Sequence, residues 1–146
     1  MSDAIKNKLK IFAQTLEKFP EFRYLGDPIL RQKTREVEID EGLEIGKKLG
    51  EVLIKYRNMV GFGRGLAAPQ IGVGKAVFAT YLDDQVQIYI NPQIVNTSKN
   101  KNYYRELCLS SGIVWCDVCR SESITLRWID ENKRQREEKF EGVLAR

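Results

Sequence analysis

Two stretches of this chain hold side chains with more chemistry than a turn or a strand requires. The first is Gly61-Phe62-Gly63-Arg64-Gly65-Leu66-Ala67-Ala68-Pro69-Gln70-Ile71-Gly72, with four glycines, two alanines and a proline in twelve residues. Without side chains, Gly63 and Gly65 leave backbone N–H and C=O groups open to an extended ligand, as in strand addition. Gln70, just past a rigid proline, can donate from its carboxamide to an oxygen that gains charge. The second stretch is Glu106-Leu107-Cys108-Leu109-Ser110. A Cys108 thiolate is a good ligand for Zn²⁺ or Fe²⁺. Plainer readings stand beside both: a tight turn feeding a strand for the first, and a small buried hydrophobe for Cys108.

The rest of the composition narrows the chemistry. The 146 residues contain no histidine, so imidazole base catalysis and imidazole metal ligation by this chain are excluded. Three cysteines without a secretory signal argue against a disulfide framework. Cys116 and Cys119 form a Cys-x-x-Cys, a spacing that metal and redox sites use, but ordinary strand positions are the better reading. The net charge of +4 is spread along the chain. No basic stripe with stacking aromatics points to nucleic acid, and no apolar run approaches a membrane span. A cytoplasmic protein of one domain with a real core is the expectation, at 42% hydrophobic and 30% charged residues.

Positioning these residues falls to an α+β arrangement. Ile5, Leu9, Phe12, Leu16 and Phe19 recur at helical spacing and predict a helix over 3–19, capped by Asp3, stopped by Pro20 and packed on the main body. Residues 21–39 read as turn-rich. Asp40 is read as the cap of a second helix to about Val60, in which Gly46 and Gly50 permit close packing. The period then changes to two. Strands are predicted over 75–82 and 86–90, joined at Asp83-Asp84-Gln85, with Asn91-Pro92 breaking the pattern before Ile94-Val95 resumes it. Residues 96–103 read as a loop. Glu106–Ser110, Ile113–Val118, Ser123–Asp130 and 134–140 read as further strands, and residues 141–146 as the first turn of a helix. Helices followed by many strands indicate mainly antiparallel sheets.

Taken together, the two stretches resemble the motifs of the peptide deformylase family. Gly63-Arg64-Gly65-Leu66-Ala67-Ala68-Pro69-Gln70 is similar to Gly-φ-Gly-φ-Ala-Ala-x-Gln, with φ hydrophobic. Glu106-Leu107-Cys108-Leu109-Ser110 is similar to Glu-Gly-Cys-φ-Ser. Weaker echoes are Gly26–Arg31, Ile90-Asn91-Pro92 and Gly142-x-x-Ala145-Arg146. The resemblance runs from about residue 22 to the C-terminus and divides the chain into a helical extension, 1–21, and a deformylase-like domain, 22–146. It implies a metal-dependent hydrolase that removes the formyl group from N-terminal formylmethionine of nascent peptides, with those peptides, and by context the ribosome, as partners. It also implies a divalent metal, Fe²⁺ replaceable by Zn²⁺ or Ni²⁺, held in part by Cys108. Gln70 and the Leu109 N–H would hold the oxyanion. Gly63, Arg64, Gly65, Leu66 and Leu107 would contact the substrate.

The pattern also has departures. The family's third motif, His-Glu-x-Asp-His, supplies two more metal ligands and a general base, and this chain lacks it. Arg64 stands in a normally hydrophobic slot, where a cation snorkels or finds a carboxylate. Leu107 replaces a glycine. The expectation is therefore an enzyme shortened at its C-terminus, or a non-catalytic peptide-binding module of the same fold. In either case the chain as it stands should have little or no deformylase activity, no tightly bound metal, an exposed apolar patch and a tendency to self-associate.

Overall fold

A computed structural model describes residues 3–146. Helix α1 spans Asp3–Lys18. Asp3 lies in its first turn rather than before it. Only the end of its apolar stripe is buried: Phe19 is inside, Phe12 is half-buried, and Ile5, Leu9 and Leu16 are exposed. The expectation of a stripe packed along its length on the body is thus met at one end alone. Thr15 is buried instead, its hydroxyl satisfied by the Ile11 carbonyl at 2.8 Å.

Helix α2 spans Ile39–Val60, and Gly61 ends it in the left-handed conformation with its N–H on the Arg57 carbonyl. Asp40 is not its cap. Glu38 takes that place without a side-chain bond, and Asp40 sits in the first turn, paired with Lys133 at 2.6 Å. A carboxylate in the first turn still faces the positive end of the helix dipole.

Glycines set how close α2 comes to the sheet. A methyl group on Gly42 would lie 2.6 Å from Ile90 Cγ2, one on Gly50 would lie 2.8 Å from Val86 Cγ1, and one on Gly46 would overlap Ile88. Four helical residues rise about 6 Å and two strand residues about 6.8 Å, so the two rows stay in step over three contacts. Leu49, Val52, Leu53 and Tyr56 fill the core beside them.

The sheet is antiparallel, in the order β1 (Gly65–Ala67), β2 (Val77–Leu82), β3 (Gln85–Thr97), β6 (Ser123–Ile129), β7 (Gln135–Glu141). Strands β4 (Lys101–Leu107) and β5 (Trp115–Ser121) form a separate two-stranded ribbon. Asp83 and Asp84, both at positive φ, make the two-residue β2–β3 turn. The face opposite α2 carries an aromatic ladder: Phe78 on Tyr89 at 4.3 Å, Tyr89 on Trp128 at 5.1 Å and Trp128 on Phe140 at 5.8 Å.

Three strand expectations are corrected. β3 does not break at Asn91-Pro92. Asn91 adopts φ 50°, the register shifts between Ile90 and Gln93, and the strand leaves β2 for β6. The Asn91 side chain holds this bulge, accepting from the Val37 N–H at 2.9 Å and donating to the Val37 carbonyl at 2.8 Å. The polar stretch 96–103 is mostly strand, because β3 reaches Thr97 and β4 starts at Lys101. Glu106–Ser110 is not one strand: β4 stops at Leu107, and Leu109–Ser111 form a 3-10 turn with Cys108 at its N-cap position. After β7 the chain makes further turns, with the Leu144 N–H on the Glu141 carbonyl and the Arg146 N–H on that of Val143.

Large apolar side chains stand exposed at Tyr103, Tyr104, Ile113, Val114 and Trp115 around the ribbon, and at Val143 and Leu144.

Candidate active site

The two chemically unusual stretches meet. Gln70 lies in a 3-10 turn, Ala68–Ile71, entered through β1 and ended by Gly72 at φ 80°. Its Oε1 accepts the Ala67 N–H at 2.9 Å. That bond fixes which end of the carboxamide faces outward. Nε2 then points across to the second stretch, 3.3 Å from Ser110 Oγ and 3.6 Å from Cys108 Sγ. A donor held in place before any ligand arrives needs little reorganisation when charge appears on an oxygen beside it.

The partner stretch is built by the end of β4. Cys108 is exposed and Ser110 is buried. The Cys108 carbonyl accepts from the Ser111 hydroxyl at 2.7 Å and from its N–H at 3.0 Å. Leu109 opens the 3-10 turn, so its N–H has no partner within that turn. Its side chain packs against the main core. Sequence reasoning placed Gln70, Cys108 and Leu109 together but gave no role to Ser110 or to the Ala67 N–H. Ser110 was visible as a motif residue, whereas a backbone group leaves no mark in a sequence.

The expected substrate contacts divide. β1 pairs only with β2, so its other edge is free within the sheet. Gly65 is exposed there. Gly63 takes φ 122° and its carbonyl accepts from Arg57. Leu66, by contrast, is 2% exposed, and its side chain belongs to the core rather than to a groove. Arg64 is exposed, as a snorkelling cation would be, and its carbonyl accepts the Tyr81 N–H. Leu107 is half-buried opposite Trp115. Cys116 and Cys119 lie on β5, opposite Glu106 and Tyr103, and their odd spacing puts them on different faces.

Behind Cys108 lies an ion cluster that sequence reasoning missed. Glu106 pairs with Arg120 at 2.9 Å and with Arg146 at 2.7 Å. Arg146 also donates to Asn102 and to the Val118 carbonyl, and its guanidinium lies 4.5 Å from the Tyr104 ring centroid. Its side chain is only 9% exposed. The Arg120 hydrogen bond is the main cause holding the Glu106 carboxyl below its ordinary value, against burial and with help from Arg146. Arg120 is in turn raised, first by its hydrogen bond to Glu106.

The polypeptide deformylase family model matches residues 20–146. The chain belongs to the peptide deformylase family. A peptide deformylase of Pseudothermotoga lettingae is 40% identical over 127 residues, which cover 85% of this chain and 70% of the relative. One of Treponema pallidum is 34% identical over 128 residues, covering 86% and 76%. Among solved structures, the Thermotoga maritima peptide deformylase matches with a TM-score of 0.73 at 30% identity, covering 85% of this chain and 82% of that one. That of Synechococcus elongatus, solved in complex with actinonin, matches at 0.71 and 32% identity, covering 85% and 66%. The family relation accounts for the fold, for the two motifs and for their order.

Deformylases are metal-dependent hydrolases. The donors of this chain do not fit a resident metal ion. Cys108 is one thiolate, histidine is absent from the sequence, and among the described residues no three His, Cys, Asp or Glu side chains gather into a metal-holding group. Catalytic metal sites normally take three protein ligands.

Proposed function

We propose that this chain binds N-terminal formylmethionyl segments of nascent peptides in the cytoplasm, in a deformylase-type site, and that alone it releases little or no formate. The observation that carries this reading is the fixed Gln70 carboxamide. Its outer N–H₂ faces Cys108 and Ser110, and its inner oxygen is tied to Ala67.

Gln70 Nε2 and the Leu109 N–H are the two donors for the formyl oxygen. Gly65 on the free β1 edge pairs with the extended peptide, Gly63, Arg64 and Leu66 flank that contact, and Leu107 borders it. Arg64 in place of an apolar residue weakens selectivity for methionine. Among the described residues Cys108 is the one thiolate at this site, and one thiolate is too few for useful affinity. Of the metals the family uses, Fe²⁺, Zn²⁺ or Ni²⁺ would therefore be lost on dialysis.

Titrating formylated and unformylated methionyl tripeptides into ¹⁵N-labelled protein tests the reading. Formylated peptide should shift the Gln70 side-chain amide and the Leu109 amide, and Gln70→Ala should weaken binding by about tenfold. Binding of neither peptide would overturn it. Rapid formate release by the chain supplied with Fe²⁺, Zn²⁺ or Ni²⁺ would overturn its second half.

A further inference from the structure

Gln70 and the Cys108–Ser110 turn follow strands of separate sheets, β1 and β4, and the Gln70–Ser110 side-chain contact, at 3.3 Å, is long. A third segment joins them through its backbone. The Arg23 N–H donates to the Gln70 carbonyl and the Leu25 N–H to the Ser110 carbonyl, both at 2.8 Å. Tyr24, between these two donors, is held from outside. Its ring meets the Phe12 ring edge-on, with centroids 5.4 Å apart. Phe12 lies at the same time against Gly112, which closes the 3-10 turn after Cys108. A methyl on Gly112 would be 3.0 Å from Phe12 Cε2, and Gly112 takes φ 67°. One turn earlier on α1, Lys8 lies 5.3 Å from the Trp115 ring centroid at the start of β5.

Phe12 thus touches both ends of a closed path: Tyr24, the Leu25 donor, Ser110, the turn to Gly112, and back to Phe12. It belongs to α1, which ends at Lys18, before the first residue matched by the family model. Ile5, Leu9 and Leu16 of the same helix are exposed.

We infer that Phe12 is a positioning residue: by bracing Tyr24 and the Gly112 turn together, α1 sets the spacing between the Gln70 carboxamide and the Cys108–Ser110 turn. The inference rests on the reading of these residues as one site, but its readouts need no ligand. Loss of the ring leaves Tyr24 and Gly112 each with a free side, so the crossing segment and the turn move independently. Gln70 then loses Ser110 and Cys108 as a fixed pair, while its Ala67 bond survives.

The test uses the full chain carrying Cys116→Ser and Cys119→Ser, so that Cys108 is the only thiol. Phe12→Ala should shift the Gln70 side-chain amide resonance and raise the rate of Cys108 alkylation by iodoacetamide about threefold, well below the unfolding midpoint. Phe12→Leu should recover most of both effects, and Leu16→Ala on the exposed face should cause neither. If Phe12→Ala lowers the midpoint but leaves the Gln70 resonance and the Cys108 rate as in the parent, Phe12 is only a packing residue and the inference fails. If Phe12→Ala does not fold, Phe12→Leu decides: a smaller shift in the same direction supports bracing, and none overturns it. Failure of formyl-peptide binding with a normal Phe12 response would count against the proposed function alone.

Discussion

The body of this protein and its two-stranded ribbon carry one half of the candidate site each, yet they are held by different forces. The body packs α2 on a five-stranded sheet through side chains removed from water: Leu49 and Ile90 are 0% exposed, and three glycines bring the helix onto β3. In the ribbon, Tyr103 is 73% exposed, and no β4 or β5 residue joins either buried core cluster. Polar geometry orders it instead, through Glu106 shared by two arginines and Arg105 paired with Asp117 at 3.0 Å. Gln70 therefore stands on a stiff support. Cys108 stands on one that salt, pH and single charge changes can loosen.

That contrast is open to attack in order of expected effect. Leu49→Ala in the body should cost about 2–5 kcal/mol, because it leaves a cavity between helix and sheet. Urea titration would show it, and a loss under about 1 kcal/mol would mean that the body is looser than its packing implies. Asn91→Ala should cost about 2 kcal/mol, through two lost hydrogen bonds to Val37 and a left-handed residue without its carboxamide. Its hydrogen-exchange signature should centre on the β3 bulge.

Arg146→Ala should cost about 1–2 kcal/mol, and unevenly. Amide exchange should rise across β4, β5 and the Cys108 turn while α2 and β3 keep their protection. Uniform loss across both regions would show that the ribbon and the body unfold as one unit.

The smallest effect is set by pH. The folded-state pKa of Glu106 lies below the ordinary 4.5, chiefly through Arg120. Its contribution is therefore complete above about pH 4.5, the unfolded range, and is lost as pH falls through the lower folded value. Ribbon amides should lose protection in acid before body amides do, and Glu106→Gln should abolish that difference. Equal acid sensitivity in both regions would refute this account of the ribbon.

Much of the body could be read from the chain. Helical spacing marked α1 and α2, alternation marked β2 and the first part of β3, strands were expected where β6 and β7 lie, and Gly46 and Gly50 were recognisable as places for close approach. The misreadings share a cause, which is that local polarity competes with long-range pairing. Asn91-Pro92 looks like a break because nothing local shows that Val37, 54 residues earlier, completes the asparagine's bonds. Lys101-Asn102-Tyr103 looks like loop because its partner strand lies beyond the Cys108 turn and its own polarity suits an exposed ribbon.

The sequence by itself determined the residue types of the site, Gln70 after a small-residue strand and Cys108 within its motif, along with the absence of imidazole and the family. These are properties of residue identity and short spacing. The tertiary structure decided which end of Gln70 faces Cys108, that Leu66 turns into the core, that Glu106 answers to two arginines and that Phe12 reaches the site. Each of these depends on groups tens of residues apart meeting within hydrogen-bond or van der Waals distance, and only the folded chain fixes such meetings.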